Sequence, residues 1–275
     1  GDWIGKQVQS DWNLPWGPMP RIVGLPASAN FEMRKALTAA AANYGCPMLW
    51  ADGLTVQAPE SNYEGKMTFT DADLQERYDE LAPKGMVDLI VIGCPQASLG
   101  EIRATAAEVR ARMELGQRIP NQRLWVFTSG HVYDLAEADG SVDILEEAGA
   151  LVLKDTCPEV TPYNRSRYNH LLTNSLKAEH YLTSGLNKMP TSVAKIADCV
   201  AHAFDPSLLN EPRPTLDQRA PEPHSTSKTH MTGDAVLSGK SLPSQEAWSV
   251  EGRAMVTDVP ITYLGYVNRD SGVIE

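Results

Sequence analysis

Short apolar runs alternate with segments of helical periodicity along most of the chain. The runs at residues 22–25 and 48–50 precede predicted helices at residues 30–44 and 71–81. A repeated order of strand and then helix is typical of βαβ units, in which the strands lie parallel. The pattern therefore predicts an α/β fold.

The middle of the chain holds three continuous apolar runs, at residues 87–92, 124–127 and 150–153. The first run leads into a helix predicted at residues 99–115, where Ser98 and Glu101 form a capping box. Strands that are apolar on both faces are typical of sheets whose two faces are both covered. We therefore predict a parallel sheet covered by helices on both faces.

The pattern changes after a helix predicted at residues 193–204. Residues 205–232 are rich in Pro, Ser and Thr and are predicted to form an extended linker. Residues 233–275 contain short β-rich patches bounded by glycine, which indicate the start of a small β-rich domain. The predicted organisation is a main domain at residues 1–204, the linker, and this small domain.

Composition and charge narrow the class of protein. With 275 residues and 42% hydrophobic composition, the chain is long enough for one sizeable core and the start of a second. Its net charge of -11 comes without a basic stripe, so we expect no nucleic-acid partner. No apolar run approaches the roughly 20 residues that span a bilayer, and the start lacks a signal-peptide pattern, so we expect a cytoplasmic protein with no membrane partner. The absence of Met at the first position predicts that residues are missing upstream.

Two of the four cysteines lie where ligands collect in α/β proteins. Cys94 and Cys157 each follow the carboxyl end of a predicted strand, and each is followed by a proline that fixes the loop. Cys46 precedes its strand and Cys199 lies within a helix, so both are interpreted as structural. Two interpretations of the first pair stay open, as metal ligands or as small buried hydrophobic residues. Two thiolates are fewer than the three or four that usually hold an iron–sulfur cluster.

A second group of polar residues spans positions 173–181. Thr173 or Asn174 is predicted to cap a helix on which Asn174, Lys177 and Tyr181 share one face. A hydroxyl, an amide and an ammonium at the start of a helix are typical of a pocket for a carboxylate or a phosphate. The alternative is a capped amphipathic helix that faces solvent.

Taken together, the ordered motifs resemble those of the aconitase X family. They are Gly93-Cys94-Pro95-Gln96-Ala97-Ser98-Leu99-Gly100-Glu101, then Asp155-Thr156-Cys157-Pro158, then the segment that begins Thr173-Asn174-Ser175-Leu176-Lys177. The resemblance runs from about residue 20 to residue 204 and corresponds to the later half of the family's catalytic region. Residues 252–260 and 268–274 resemble the start of the family's small swivel domain, although residues 263–266 depart from it.

The resemblance implies an aconitase-like α/β fold and a lyase, a hydro-lyase (dehydratase) that removes water from a small hydroxy acid. The first expected substrate is cis-3-hydroxy-L-proline, and phosphomevalonate is the alternative. A further alternative is a non-catalytic fragment that binds an anion or a subunit. The implied cofactor is an iron–sulfur cluster or a mononuclear iron, with Cys94 and Cys157 as metal ligands.

The resemblance also implies roles for the segment around Ser175. Thr173, Asn174, Ser175 and Lys177 are expected to bind the anionic end of the substrate, and Ser175 is the catalytic candidate for proton transfer. A further metal ligand and several substrate contacts are expected in an N-terminal half of the catalytic region that this chain lacks. That missing half is an expected partner, and the chain alone is expected to be inactive.

Overall fold

The computed structural model describes residues 1–8, 19–26, 28–55 and 65–204. The predicted linker at residues 205–232 and the predicted small domain at residues 233–275 lie outside the described residues. The strands are β1 (Arg21–Ile22), β2 (Trp50–Ala51), β3 (Leu89–Ile92), β4 (Leu124–Thr128), β5 (Leu151–Lys154), β6 (Leu171–Thr173) and β7 (Thr191–Val193). The α-helices are α1 (Asp2–Val8), α2 (Phe31–Ala42), α3 (Asp71–Leu81), α4 (Leu99–Met113), α5 (Gly130–Ala138), α6 (Ser141–Ala148), α7 (Leu176–Ser184) and α8 (Ile196–Ala203).

The main sheet has five parallel strands in the order β5-β4-β3-β6-β7. The first strand of this sheet along the chain is β3, which lies at its centre. The next two strands, β4 and β5, are added on one side of β3, and then β6 and β7 are added on the other side. The direction of winding therefore reverses between β3 and β6, as in doubly wound folds. The predicted parallel sheet is confirmed.

Both faces of this sheet are covered, as predicted, but by different kinds of structure. On one face, side chains such as Ile90 and Val126 pack in a core with residues of α4, α5, α6 and α8. On the other face, Leu89 and Trp125 pack against α7 and against tyrosines of the irregular segment that precedes β6. Burial of apolar side chains on both faces explains why the strands are apolar throughout.

The structure corrects several sequence predictions. Strands β6 and β7 were not predicted, because three-residue strands are too short to display a period of two. Thr173 ends β6, so the helix cap is Ser175 rather than Thr173 or Asn174. The helix predicted from residue 193 begins at Ile196, after β7.

The first two apolar runs also form a different structure from the one expected. Strands β1 and β2 pair with each other in a separate two-stranded sheet and do not join the main sheet. The capping box of α4 is confirmed, since Glu101 N–H donates to Ser98 Oγ at 3.1 Å and Ser98 N–H donates to the Glu101 carboxylate at 2.8 Å. Every helix in the described part of the chain is too short or too polar to cross a bilayer.

Candidate functional site

The candidate site lies at the carboxyl edge of the main sheet, between β3 and β6. Cys94 follows β3, and Asn174 and Ser175 follow β6, the neighbouring strand. In open α/β sheets, the crevice where the strand order reverses is the usual place for a ligand. The topology therefore brings one predicted cysteine and the predicted anion-binding segment to the same crevice.

The backbone before Cys94 has a conformation that requires glycine. Gly93 has a φ of +110°, and a Cβ atom built there would lie 2.1 Å from the carbonyl oxygen of Phe127. An L side chain at this position would be strained and would also clash with β4. The peptide bond between Cys94 and Pro95 is cis. The positive φ of Gly93 redirects the chain at the end of strand β3, and Cys94 follows at the edge of the sheet.

Side chains from two other strand ends hold the cysteine loop. Ser175 Oγ donates a hydrogen bond to the carbonyl oxygen of Cys94. Thr128 Oγ1, at the end of β4, donates to the carbonyl oxygen of Ala97 at 2.8 Å, and this threonine is completely buried. Because the carbonyls of the loop have partners on both neighbouring strands, the loop is fixed before any ligand binds.

Helix α2 supplies a third contact to the same loop. Lys35 Nζ donates to the carbonyl oxygen of Gln96 at 2.9 Å and forms an ion pair with the Glu101 carboxylate. The side chains of Lys35 and Glu101 are only 15% and 14% exposed. Since Glu101 also closes the capping box of α4, one lysine joins α2, the cysteine loop and the start of α4.

The loops that carry Cys94 and Cys157 approach each other. Strand β4 separates β3 from β5, so the two strand ends are about 10 Å apart, twice the spacing of adjacent strands. The side chain of Gln96 spans this gap, with Nε2 donating to the carbonyl oxygen of Thr156 at 3.1 Å. Cys94 is buried and Cys157 is half-buried.

Electrostatic effects on Cys94 indicate which groups lie near its sulfur. Burial and then the neighbouring Cys157 raise the pKa of the Cys94 thiol to about 11, while the charges of Lys177 and Lys35 act to lower it. Among the residues that the structure describes, no group of three or more His, Cys, Asp or Glu side chains is placed to hold a metal ion. The two thiols are therefore at most part of a ligand set.

The predicted anion-binding residues have distinct positions. Thr173 is completely buried, and its Oγ1 accepts a hydrogen bond from Ser175 N–H at 3.3 Å. Asn174 has a buried Oδ1 with no hydrogen-bond partner in the described part of the protein. Lys177 is half-buried and carries its charge close enough to act on Cys94. Asn174 and Ser175 line the crevice, whereas Thr173, Lys177 and Cys157 are not among its lining residues.

A cavity of about 420 Å³ opens at this edge of the sheet. Cys94, Asn174 and Ser175 line it, together with Val193 at the end of β7 and the two residues that follow. Its other walls come from α1, α2 and α3, whose contributions include Trp3 and Leu74. The cavity is large enough for a small organic acid and combines polar groups with an apolar wall.

An aromatic cluster lies behind Cys94. The rings of Trp125 and Tyr163 stack at 6.0 Å, and Tyr168 packs edge-on against Trp125 at 5.9 Å. Tyr163 Oη donates to the carbonyl oxygen of Pro158, in the loop of the second cysteine, at 2.9 Å. This cluster keeps water from the inner side of Cys94 and lowers the local polarity, which is the cause of the raised thiol pKa.

The other two cysteines have the structural character that the sequence predicted. Cys46 and Cys199 are both buried, and each thiol donates to a nearby backbone carbonyl. Three further charged residues line the cavity and were not predicted from the sequence, namely Lys35, Arg77 and Lys195. They lie in elements without a recognisable motif, so only their packing against the sheet edge identifies them.

Comparison with known proteins identifies the family of this region. The model of the aconitase X third domain matches residues 87–205. The match begins just before β3 and ends just after α8, so it covers the whole main sheet and both cysteine loops. The sequence motifs and the family model thus agree on the same stretch of chain.

Curated relatives agree with this match. The chain is 35% identical to the phosphomevalonate dehydratase large subunit of Methanothermobacter thermautotrophicus, over 54% of this chain and 37% of that protein. It is 31% identical to the cis-3-hydroxy-L-proline dehydratase of Pseudomonas aeruginosa, over 68% of this chain and 34% of that protein. The chain therefore spans about a third of the length of these relatives.

A solved structure has the same fold. The crystal structure of Thermococcus kodakaraensis aconitase X in its holo form matches with a TM-score of 0.58 and 26% sequence identity, over 73% of this chain and 49% of that one. The family model, the curated relatives and the solved structure therefore agree, and residues 87–205 of this chain match the third domain of aconitase X.

Proposed function

We propose that this chain carries part of the active site of an iron-dependent hydro-lyase that removes water from a small hydroxy acid. The observation that carries the proposal is the convergence of the Cys94 and Cys157 loops, from strands that are not neighbours, beside the start of α7. The names of the relatives, which are dehydratases, support the reaction class.

The residues present fit part of an iron site. Cys157 lies close enough to Cys94 to affect its pKa, and so do the cations of Lys177 and Lys35. The two positive charges would stabilise a Cys94 thiolate once a metal replaces its proton. Iron–sulfur clusters are usually held by three or four thiolates, so further ligands would come from outside the described residues. Iron bound here would supply a Lewis acid for the leaving hydroxyl group.

The chain's own residues would bind and orient the substrate. Asn174 lines the cavity, and its Oδ1, which has no hydrogen-bond partner among the described residues, would accept a hydrogen bond from a substrate hydroxyl group. Lys177 does not line the cavity but lies near Cys94, where it offers a positive charge for a carboxylate. Thr173 supports this role by fixing the backbone of Ser175. The hydroxyl proton of Ser175 is donated to the Cys94 carbonyl, so the proposed role of Ser175 in proton transfer requires that bond to open.

The substrate is proposed from the relatives. Phosphomevalonate dehydratase is the more frequent name among them, and it favours phosphomevalonate over the cis-3-hydroxy-L-proline expected first from the sequence. Those relatives are named large subunits, so a small subunit is a proposed partner. The earlier part of the catalytic region is a second proposed partner, because this chain spans about a third of each relative.

Iron binding tests the proposal directly. The chain, completed by the other parts of the enzyme, is reconstituted with iron and sulfide without oxygen, and iron content and visible absorption are measured for Cys94→Ser, Cys157→Ser and the control Cys46→Ser. We expect the first two variants to bind iron about tenfold more weakly than the unchanged chain. The control should bind normally, because Cys46 is buried away from the cavity lining.

A completed enzyme that binds no iron, or that binds it equally well without Cys94 and Cys157, would show that the iron proposal is wrong. The non-catalytic alternative then makes a different prediction, namely binding of a small anion without any metal. In the enzyme completed by its other parts, release of water from phosphomevalonate and from cis-3-hydroxy-L-proline distinguishes the two substrates.

A further inference from the structure

The loop that carries Cys157 has its shape fixed by side chains of its own segment. Thr161 Oγ1 donates to the carbonyl oxygen of Cys157 at 3.0 Å, and Tyr163 Oη donates to that of Pro158 at 2.9 Å. Paired carbonyls restrict the backbone to one path. Both bonds are local to the segment, so they fix the shape of the loop but not its position relative to the sheet.

Two neighbouring elements fix the position of the residues before the cysteine. The carboxylate of Asp155 accepts from Gly130 N–H at 2.7 Å, where α5 begins. Gln96 donates to the carbonyl oxygen of Thr156 at 3.1 Å. A thiol whose loop is held on one side only can still change its orientation, and a metal ligand needs a fixed one. The residues after Cys157 therefore need a contact of their own.

Glu159 makes that contact, with the turn between α7 and β7. Its Oε1 accepts from Leu186 N–H at 2.6 Å, and Asn187 Nδ2 donates to its backbone carbonyl oxygen. A Cβ atom built at Gly185 would lie 2.5 Å from Glu159 Oε1, so the close approach of the carboxylate requires glycine at that position. The side chain and the backbone of one residue thus bind the same turn.

Helix α7 thereby contacts the loops of both cysteines. Its cap, Ser175, donates to the carbonyl oxygen of Cys94, and the turn that follows the helix binds Glu159. The helix itself is held against the sheet by the buried side chains of Ala178 and Leu182. One packed helix therefore sets the position of the two loops relative to each other.

The carboxylate of Glu159 is only half paired. Its Oε2 is buried and has no hydrogen-bond partner within the described ranges. A buried acceptor without a partner costs free energy, so this side chain stabilises the chain less than a fully paired one would. The cost favours a role in the position of the loop over a role in overall stability.

We infer that Glu159 is a positioning residue for Cys157, which it holds in place through the turn between α7 and β7. The inference rests on the proposed function, since the orientation of this thiol matters for the metal that it would help to bind. Glu159 does not line the cavity, and in the described part of the chain it forms no metal-ligand group with the two cysteines. It therefore acts through the loop and not on the substrate.

Alkylation of Cys157 in the metal-free full chain tests the inference. Cys157 is half-buried and the other three cysteines are buried, so labelling by iodoacetamide, followed by mass spectrometry, reports on its loop. We expect Glu159→Ala to accelerate labelling by about fivefold, because the loop opens more often without this contact. Glu159→Gln retains an acceptor for Leu186 N–H and should label within about twofold of the unchanged chain.

Asp88→Ala is the matched control, because Asp88 makes the same kind of bond at the other end of the segment. Its carboxylate accepts from Asn169 N–H at 2.7 Å and from His170 N–H at 3.0 Å, just before β6. This variant should destabilise the segment without changing the labelling of Cys157. Asn187→Ala removes the second bond to the turn and leaves Glu159 unchanged, so it should also accelerate labelling.

Unchanged labelling in both Glu159→Ala and Asn187→Ala would overturn the inference. Equal acceleration in Asp88→Ala would overturn it too, since the cause would be a general loss of stability. The same holds for equal acceleration in Glu159→Gln, since the cause would then be the lost negative charge.

The completed enzyme gives a second readout, the visible absorption of bound iron. Glu159→Ala should bind iron about tenfold more weakly, and Glu159→Gln should restore most of the binding. Equal binding by the alanine variant and the unchanged enzyme would contradict the inference. The labelling is measured without metal, so the inference and the iron proposal can fail separately.

Discussion

Ser175 makes two different hydrogen bonds where β6 leads into α7. Its Oγ accepts from Ala178 N–H at 3.1 Å, as the cap of the helix, and donates to the carbonyl oxygen of Cys94. Removing the hydroxyl would leave a helix N–H and a loop carbonyl without partners. We expect Ser175→Ala to lower the free energy of unfolding by about 2 kcal/mol, about half from each bond.

Urea denaturation followed by circular dichroism measures this loss. Ser175→Asn is the matched variant, because its side chain retains both an acceptor for the cap and a donor for the Cys94 carbonyl. It should recover at least half of the lost stability. If Ser175→Ala is as stable as the unchanged chain, the two bonds do not hold the cysteine loop, and a free catalytic hydroxyl becomes the better account of Ser175.

At the scale of elements, the contact between α2 and α4 depends on the ion pair of Lys35 with Glu101. Both side chains are largely buried, and Lys35 also donates to the carbonyl of Gln96. Lys35→Met would leave the carboxylate buried without its cation. We expect it to reduce the free energy of unfolding by about 2 kcal/mol, since an unpaired buried charge is costly.

The exposed pair of Arg103 with Asp139 offers a control on the outer side of α4. Arg103 is 57% exposed, so Arg103→Met should cost less than about 1 kcal/mol. Urea unfolding of both variants measures the difference. Hydrogen exchange of the amides that follow Cys94 should also accelerate in Lys35→Met and not in Arg103→Met. Equal stability losses would mean that Lys35 does not clamp the cysteine loop.

The elements that the sequence predicted are those with local signals. Helices α3 and α4 carry capping boxes at their first turns and were predicted to within two residues. Strands β3 and β4 are continuous apolar runs buried on both faces. Strands β6 and β7 have three residues each, and their identity depends on pairing with β3 and with each other, which no local pattern records.

The candidate site, like the fold, was predictable only where a residue lies in or next to a local sequence pattern. The position of Cys94 after an apolar strand placed it at the ligand-binding edge, because strand ends of a parallel sheet share one edge. Lys35 and Lys195 reach that edge from α2 and from the end of β7, and their importance depends on tertiary contacts. Single charged residues outside a motif give no signal in a sequence, so these two lysines required the structure.

At the scale of the molecule, exposed apolar side chains are unevenly distributed. Among the residues that the structure describes, ten exposed large apolar residues lie between positions 19 and 86 and five lie between positions 87 and 204, although the second segment is longer. Phe31 and Met33 on α2 are 61% and 59% exposed. Concentrated apolar exposure marks surfaces that contact other protein, which supports the proposal that another part of the catalytic region covers the first segment.

Buried thiols give the whole metal-free chain a stability that depends on alkaline pH. Burial raises the pKa of Cys199 from 9.0 to about 12, and burial with Cys157 raises that of Cys94 from 9.0 to about 11. The folded chain keeps both protons after the unfolded chain has released them. The stabilisation is therefore complete below about pH 9 and falls by about 1.4 kcal/mol per pH unit per thiol above it.

Comparison of the unchanged chain with Cys199→Ala isolates this effect, because all other titrating groups are common to both. Urea unfolding at about pH 8 and about pH 10 should show a decline in stability that is smaller in the variant by about 1 kcal/mol. The alanine removes the titrating group and leaves the other thiols in place. Equal declines in the two proteins would mean that Cys199 loses its proton as readily in the folded chain as in the unfolded chain. Helix α8 would then pack less tightly against the sheet than the complete burial of Cys199 indicates.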